Sequence, residues 1–112
     1  MTEGIVDFND WMKFDLRVGQ IIEVEDIEGA DKLYKFVVDI GDEKRIICAG
    51  LKPYYSKEKL QDKKVIVFIN LAPRKLRGIE SQGMILAAVS KDEKEVRLIQ
   101  PDKDIANGSI VR

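Results

Sequence analysis

Histidine is absent from this chain of 112 residues, and Cys48 is its only cysteine. The absence of histidine excludes the usual zinc ligand sets, histidine general bases and Ser-His-Asp catalysis. A single cysteine excludes an internal disulfide and a CxxC redox pair, so we expect Cys48 to be a small buried hydrophobe. The phosphate-binding motif GxxxxGK[ST] and the dinucleotide motif GxGxxG are missing too. We therefore expect a protein that is not an enzyme and that holds no metal ion and no cofactor.

Long apolar runs are also missing. No run approaches the length that crosses a bilayer, and the first residues lack the basic start and apolar core of a signal peptide. These absences predict a cytoplasmic protein with no membrane partner. The length, together with a hydrophobic content of 45%, predicts a single domain over residues 1–112.

The net charge of −1 hides an uneven distribution along the chain. Residues 1–42 carry 4 basic and 11 acidic side chains, whereas residues 43–77 carry 10 basic and 3 acidic ones. A local basic patch of this size suits a nucleic-acid site, because phosphate attraction acts over about one Debye length. The same lysines also suit the solvated surface of a helix. Charge alone leaves the two interpretations even.

The pattern of β-branched residues and turn residues predicts a mostly β chain. Strands are predicted at residues 16–27, 34–40, 45–49, 64–70 and 83–90, with further strand material at 96–100 and 109–112. A short helix is predicted within residues 51–62. Five strands with a helix between the third and the fourth give the element order of an OB-fold, a partly open Greek-key barrel. The predicted fold class is thus an all-β, five-stranded OB barrel with a C-terminal strand extension.

Two further features concern the start of the chain. Phe8, Trp11 and Met12 recur at helical spacing, which predicts a short N-terminal helix within residues 5–14. We expect its apolar stripe to close one end of the barrel. Gly19 interrupts the first strand and is expected to mark a bulge or a sharp coil.

The polar stretch at residues 71–82 is the main candidate for a ligand-binding loop. OB barrels bind ligands with the loops between strands one and two and between strands four and five. Arg74, Lys75 and Arg77 repel one another within four residues, which an anion would relieve. Asn70, Ser81 and Gln82 add groups that hydrogen bond to phosphate and sugar. The bland alternative is a solvated hairpin loop, and we favour the anion.

Aromatic residues make up only 7% of the chain. Tyr34, Phe36 and Phe68 alone fall on the central strands, too few to stack several successive bases. We therefore expect recognition of folded RNA through backbone and shape. Met84 could pack on an exposed base or fill the core, and taken alone it favours the core. Lys32 beside Asp31 could be a phosphate contact or a surface ion pair, and taken alone it favours neither.

Two segments resemble a known family. Residues 15–41 (DLRVGQIIEVEDIEGADKLYKFVVDIG) and 70–88 (NLAPRKLRGIESQGMILAA) resemble both signatures of the EMAP II-like tRNA-binding domain, which methionyl-tRNA synthetases and free-standing tRNA-binding proteins share. The resemblance implies an OB barrel and tRNA contacts at the following positions: Lys32, Asn70, Lys75, Ser81 and Met84. We add Arg74, Arg77 and Gln82 from their charge and polarity. Glu28-Gly29 replaces the His-Pro pair that relatives often have there.

Within that family, the stand-alone β subunit of methionyl-tRNA synthetase is the branch that fits best. The implied partners are tRNA, the catalytic chain of the synthetase and a second copy of the chain, with the dimer interface around residues 96–112. The chain is then expected to assist aminoacylation without performing it. The alternatives are a peptide-binding chaperone and a scaffolding module on the same fold.

Overall fold

The structure is a computed structural model that describes residues 4–112. Two short helices and ten strands make up the regular structure of these residues. In chain order they are α1 Phe8–Trp11, β1 Leu16–Asp26, β2 Tyr34–Asp39, β3 Lys44–Ala49, α2 Lys57–Leu60, β4 Lys64–Phe68, β5 Arg74–Leu76, β6 Ile79–Ser81, β7 Met84–Ile85, β8 Ala87–Val89, β9 Val96–Leu98 and β10 Ile110–Val111. The first four predicted strands are confirmed to within two residues at each end.

The long strand β1 organises the main sheet. Its first half pairs antiparallel with β4, and its second half pairs with β2. The order across the sheet is β3-β2-β1-β4-β7, and β10 lies beside the start of β1. Gln82 then donates its backbone N–H to the Ile46 carbonyl on β3 at 2.8 Å, which joins the two edges of the sheet. This nearly closed barrel confirms the predicted all-β OB class.

Alternate residues of β1 to β4 fill the barrel interior. Phe36, Ile47 and Val65 are fully buried there. Helix α2 adds Leu60, its only buried residue, to the same core. The helix between the third and fourth strands therefore contributes one side chain to the barrel core.

Helix α1 does not close the barrel, and that expectation was wrong. It spans four residues and buries none of them. Phe8 is 70% exposed, and Met12 is 61% exposed. The helical spacing was read correctly, but the apolar stripe faces outward.

Gly19 has a different role from the one expected. The irregularity in β1 falls between Ile21 and Glu23, not at Gly19. A Cβ on Gly19 would lie 2.7 Å from the side chain of Val38 and 3.0 Å from that of Val67. The position therefore needs glycine because two core side chains pack directly on the backbone.

The strands in the second half of the chain are shorter and more interrupted than predicted. Residues 71–82, expected to be a loop, form a β-hairpin of β5 and β6. The predicted fifth strand is divided into β7 and β8 at Leu86, whose backbone N–H still bonds to Ile66. Strand β9 pairs with β8 rather than extending the main sheet.

Within residues 4–112, no helix is long and apolar enough to cross a membrane. The same residues contain no group of three or more histidine, cysteine, aspartate or glutamate side chains that could hold a metal ion.

Candidate nucleic-acid interface

The β5–β6 hairpin carries four of the predicted RNA contacts: Arg74, Lys75, Arg77 and Ser81. Leu76 pairs with Ile79 across a turn of two residues, Arg77 and Gly78. Both turn residues have positive φ, 52° and 80°, as a type I′ turn requires. Gly78 adopts this conformation freely, whereas Arg77 does so at some cost. The turn fixes the Arg77 side chain at the tip.

The hairpin cations are exposed on more than one side of the ribbon. Side chains alternate along a strand, so Arg74 shares a face with Leu76 and Lys75 lies on the opposite face. Lys75 is paired in register with Glu80. Within residues 4–112, no carboxylate lies within 4.0 Å of the charged nitrogens of Arg74, Lys75 or Arg77. The three charges therefore remain available to an anion.

Ser81 and Gln82 attach the hairpin to the barrel. Ser81 is 3% exposed; its Oγ accepts the Cys48 backbone N–H at 3.0 Å and donates to the Gly83 carbonyl at 3.2 Å. The Oε1 atom of Gln82 accepts the backbone N–H of Ile46 at 3.0 Å. Both side chains extend the pairing with β3. This geometry gives them a positioning role, and a direct contact with RNA stays a prediction for both.

A small apolar cluster joins the hairpin to the loop between β1 and β2. Leu76 and Ile79 pack against the buried residues Ile27 and Cys48. Burial raises the pKa of the Cys48 thiol, as expected for a structural cysteine. Lys32 lies in the same loop and is exposed. The structure thus brings Lys32 and the hairpin onto one side of the barrel.

Asn70 and Met84 lie outside the β5–β6 hairpin. The Asn70 amide accepts the backbone N–H of Asp15 at 2.8 Å and donates to the carbonyl of Lys13 at 2.6 Å. It therefore ties the N-terminal segment to the end of β4. Met84 is 42% exposed and pairs with Phe68, whose ring stacks on Phe14. Their roles as RNA contacts remain predictions.

A groove of about 540 Å³ runs beside the base of the hairpin. Arg45 lines it, but its guanidinium donates to the carbonyls of Ile69 and Gln82 and pairs with Glu43 at 2.7 Å. Because its partners are all within the protein, Arg45 holds the hairpin base in place rather than offering a free charge.

The hairpin had a sequence signal that the loop interpretation passed over. Leu76 and Ile79 are apolar and flank a two-residue segment that ends in glycine, which is typical of a tight hairpin. The roles of Ser81 and Asn70 had no such signal, because their partners are 33 and 55 residues away in sequence.

The sequence matches a known protein family over most of its length. Residues 16–110 match the family described as "Putative tRNA binding domain". The chain belongs to this tRNA-binding domain family. The match spans β1 to the start of β10, including the hairpin and the loop that carries Lys32.

Curated relatives include large synthetases. The methionine–tRNA ligase of Pyrococcus abyssi is 54% identical over 98% of this chain, and that of Methanocaldococcus jannaschii is 54% identical over 96%. The chain spans only 15% and 16% of these two proteins.

Solved structures with the same fold include two named classes of protein. A methionyl-tRNA synthetase related protein from Pyrococcus horikoshii superposes with a TM-score of 0.91 at 37% identity, covering 96% of this chain and 98% of its own. The CsaA chaperone of Picrophilus torridus superposes with a TM-score of 0.86 at 32% identity, covering 96% of this chain and 100% of its own.

Proposed function

We propose that this domain binds tRNA through its backbone and shape and assists aminoacylation as the β subunit of a methionyl-tRNA synthetase. It works in the cytoplasm alongside a separate catalytic chain and is not itself an enzyme. The observation that carries the proposal is the hairpin. It holds Arg74, Lys75 and Arg77 exposed, with no carboxylate within 4.0 Å among residues 4–112, on the side of the barrel that carries Lys32. Such cations gain free energy by releasing the counterions of an RNA backbone.

Folded RNA is the better substrate for this surface than an unstructured strand. Tyr34 and Phe36 are buried in the barrel core, where they cannot stack on bases. Single-strand binding needs exposed aromatic platforms along the groove. The relatives named as methionine–tRNA ligases support tRNA as the folded RNA and the synthetase as the partner.

The proposed assembly is a homodimer that uses a groove at the two ends of the chain. This groove, the terminal apolar groove, has a volume of about 520 Å³ and is lined in part by apolar side chains: Phe8, Trp11, Met12, Phe14, Ile110 and Val111. Exposed apolar surface of this kind is typical of protein interfaces. A two-fold dimer would cover both grooves and present two hairpins to one tRNA.

A second candidate function is peptide binding. The CsaA chaperone shares the fold at 32% identity, and the terminal apolar groove offers a surface for an apolar peptide. A scaffolding role between synthetases would use the same surface.

A titration with competitors tests the proposal. Labelled total tRNA is titrated with the chain in moderate salt, first alone and then with excess unfolded polypeptide or with the synthetase catalytic chain. We expect tRNA to bind, the polypeptide not to displace it, and the catalytic chain to join the complex. Displacement by the polypeptide would favour the chaperone. Copurification of a synthetase without any binding of RNA would favour the scaffold.

A further inference from the structure

A second group of cations lies outside the hairpin. Asp26, the last residue of β1, faces two lysines: Lys52 Nζ lies 3.1 Å from Asp26 Oδ1, and Lys57 Nζ lies 2.7 Å from Asp26 Oδ2. All three side chains are partly exposed, at 33%, 44% and 52% for Lys52, Lys57 and Asp26. Two ammonium groups share one carboxylate within 4.0 Å, and Glu58 is a further acidic neighbour of Lys57. Together with the exposed Lys32, three lysines face two acids, so the group keeps an excess positive charge.

These lysines adjoin the candidate interface. The backbone N–H of Lys52 donates to the carbonyl of Lys32 at 3.3 Å. Lys32 lies in the β1–β2 loop, which shares an apolar cluster with Leu76 and Ile79 of the hairpin. The β1–β2 loop therefore contacts both the hairpin and the segment after β3.

The two ion pairs of Asp26 are not explained by a contribution to folding stability. The ion pairs are solvated, and exposed pairs contribute little to folding. The pKa of Asp26 is lowered, first by the hydrogen bond from Lys57 and then by that from Lys52, so its carboxylate is ionised near neutral pH. Asp26 thus holds the long side chains of Lys52 and Lys57 beside the β1–β2 loop. Neighbouring Lys35 is matched by Glu25 at 3.7 Å and adds no excess charge.

We propose that Lys52 and Lys57, together with Lys32, form a second phosphate-binding site that takes backbone phosphates of the same RNA that the hairpin holds. The inference rests on the proposed tRNA binding and extends its footprint across the β1–β2 loop. Asp26 occupies the two ammonium groups until phosphates replace it, so its carboxylate competes with the RNA for Lys52 and Lys57.

The salt dependence of tRNA binding tests this site. In the double variant Lys52→Ala/Lys57→Ala, the slope of log K against log salt should fall by about one to two, because each lost phosphate contact removes about one unit. Affinity at about 0.1 M salt should fall at least about tenfold, since each released counterion contributes about one power of the salt concentration. The matched control is Lys91→Ala/Lys94→Ala, which removes the same charge from the exposed turn between β8 and β9. Its slope should stay close to that of the native chain.

The possible outcomes separate the two proposals. If the native chain binds tRNA but the double variant keeps the native slope, the second site is overturned and the hairpin proposal stands. If the native chain does not bind tRNA at any salt concentration, both proposals fail. The variant Asp26→Asn tests the second site without removing a lysine. It should bind tRNA several-fold more tightly, and unchanged or weaker binding would overturn the proposal.

Discussion

The hairpin surface and the terminal apolar groove belong to one small barrel but are built in opposite ways. In the hairpin, Leu76 and Ile79 pack inward against the β1–β2 loop, and the cations face solvent. At the groove, Phe8 and Ile110 are 70% and 57% exposed. The hairpin buries its apolar side chains within the single chain, whereas the groove leaves apolar area exposed that a partner would bury.

Charge follows the same division. Lys13 pairs with Asp10 at 3.2 Å, and Arg17 pairs with Asp15 at 2.6 Å, both at or beside the groove. The bond to Asp15 raises the pKa of Arg17. A surface on which each cation is matched by its own carboxylate suits a protein partner, whereas one with unmatched cations suits a polyanion.

The largest effect is expected at the groove. Ile110→Asp puts a charge into the proposed dimer interface and should convert the dimer into a monomer. The loss of the second hairpin should then weaken tRNA binding by about 100-fold, through lost avidity. Sedimentation gives the mass, and a titration gives the affinity. Tyr54→Asp, at a residue 41% exposed and not part of the groove, is the control and should remain a dimer. A dimeric Ile110→Asp variant would contradict the division.

The next largest effect is expected at Ser81, which anchors the hairpin to β3. Ser81→Ala leaves the buried backbone N–H of Cys48 without its acceptor. The free energy of unfolding should fall by about 1–3 kcal/mol. Chemical denaturation measures this change. The control is Ser90→Ala, because the Ser90 hydroxyl also makes two hydrogen bonds but in a solvated turn between β8 and β9. The affinity for tRNA should change little under conditions where the variant is folded, because Ser81 positions the hairpin and does not contact the RNA. Much weaker binding at an unchanged salt slope would instead place the uncharged Ser81 hydroxyl in direct contact with the RNA.

A smaller loss is expected at Asn70. Asn70→Ala removes the two hydrogen bonds to Asp15 and Lys13 from an exposed site. The expected loss in the free energy of unfolding is about 1 kcal/mol. Denaturation and tRNA titration should be measured on the same variant. Unchanged stability combined with weaker tRNA binding would show that Asn70 contacts RNA directly.

The smallest expected change in stability is a gain at the hairpin tip. Arg77→Asn creates the Asn-Gly sequence that a type I′ turn prefers. The free energy of unfolding should rise by about 0.5 kcal/mol. The salt slope for tRNA should fall at the same time, because a cation is lost. A variant that is both more stable and unchanged in slope would exclude Arg77 from the interface.

The barrel could be predicted from the sequence because its signals are local. The strands β1 to β4 show their β-branched residues and their turns within short windows. The prediction of helix α1 from the spacing of its apolar residues was correct, but the prediction that these residues pack on the barrel was wrong. The spacing of Phe8, Trp11 and Met12 does not reveal whether the apolar face meets the barrel or solvent.

The candidate site was predictable in part, for a related reason. Charge located the cations of the hairpin, and the family resemblance located Lys32. The anchoring of Ser81 on Cys48 and the pairing of Lys57 with Asp26 join residues 33 and 31 positions apart. Contacts at that separation have no local pattern, so they required the fold.

The salt dependence of tRNA binding by Lys75→Ala tests the central claim most directly. Lys75 is exposed on the outer face of the hairpin and has no ion pair within residues 4–112, so the substitution should leave the fold intact. The slope of log K against log salt should fall by about one relative to the native chain. A slope equal to that of the native chain would show that the hairpin does not hold the RNA backbone.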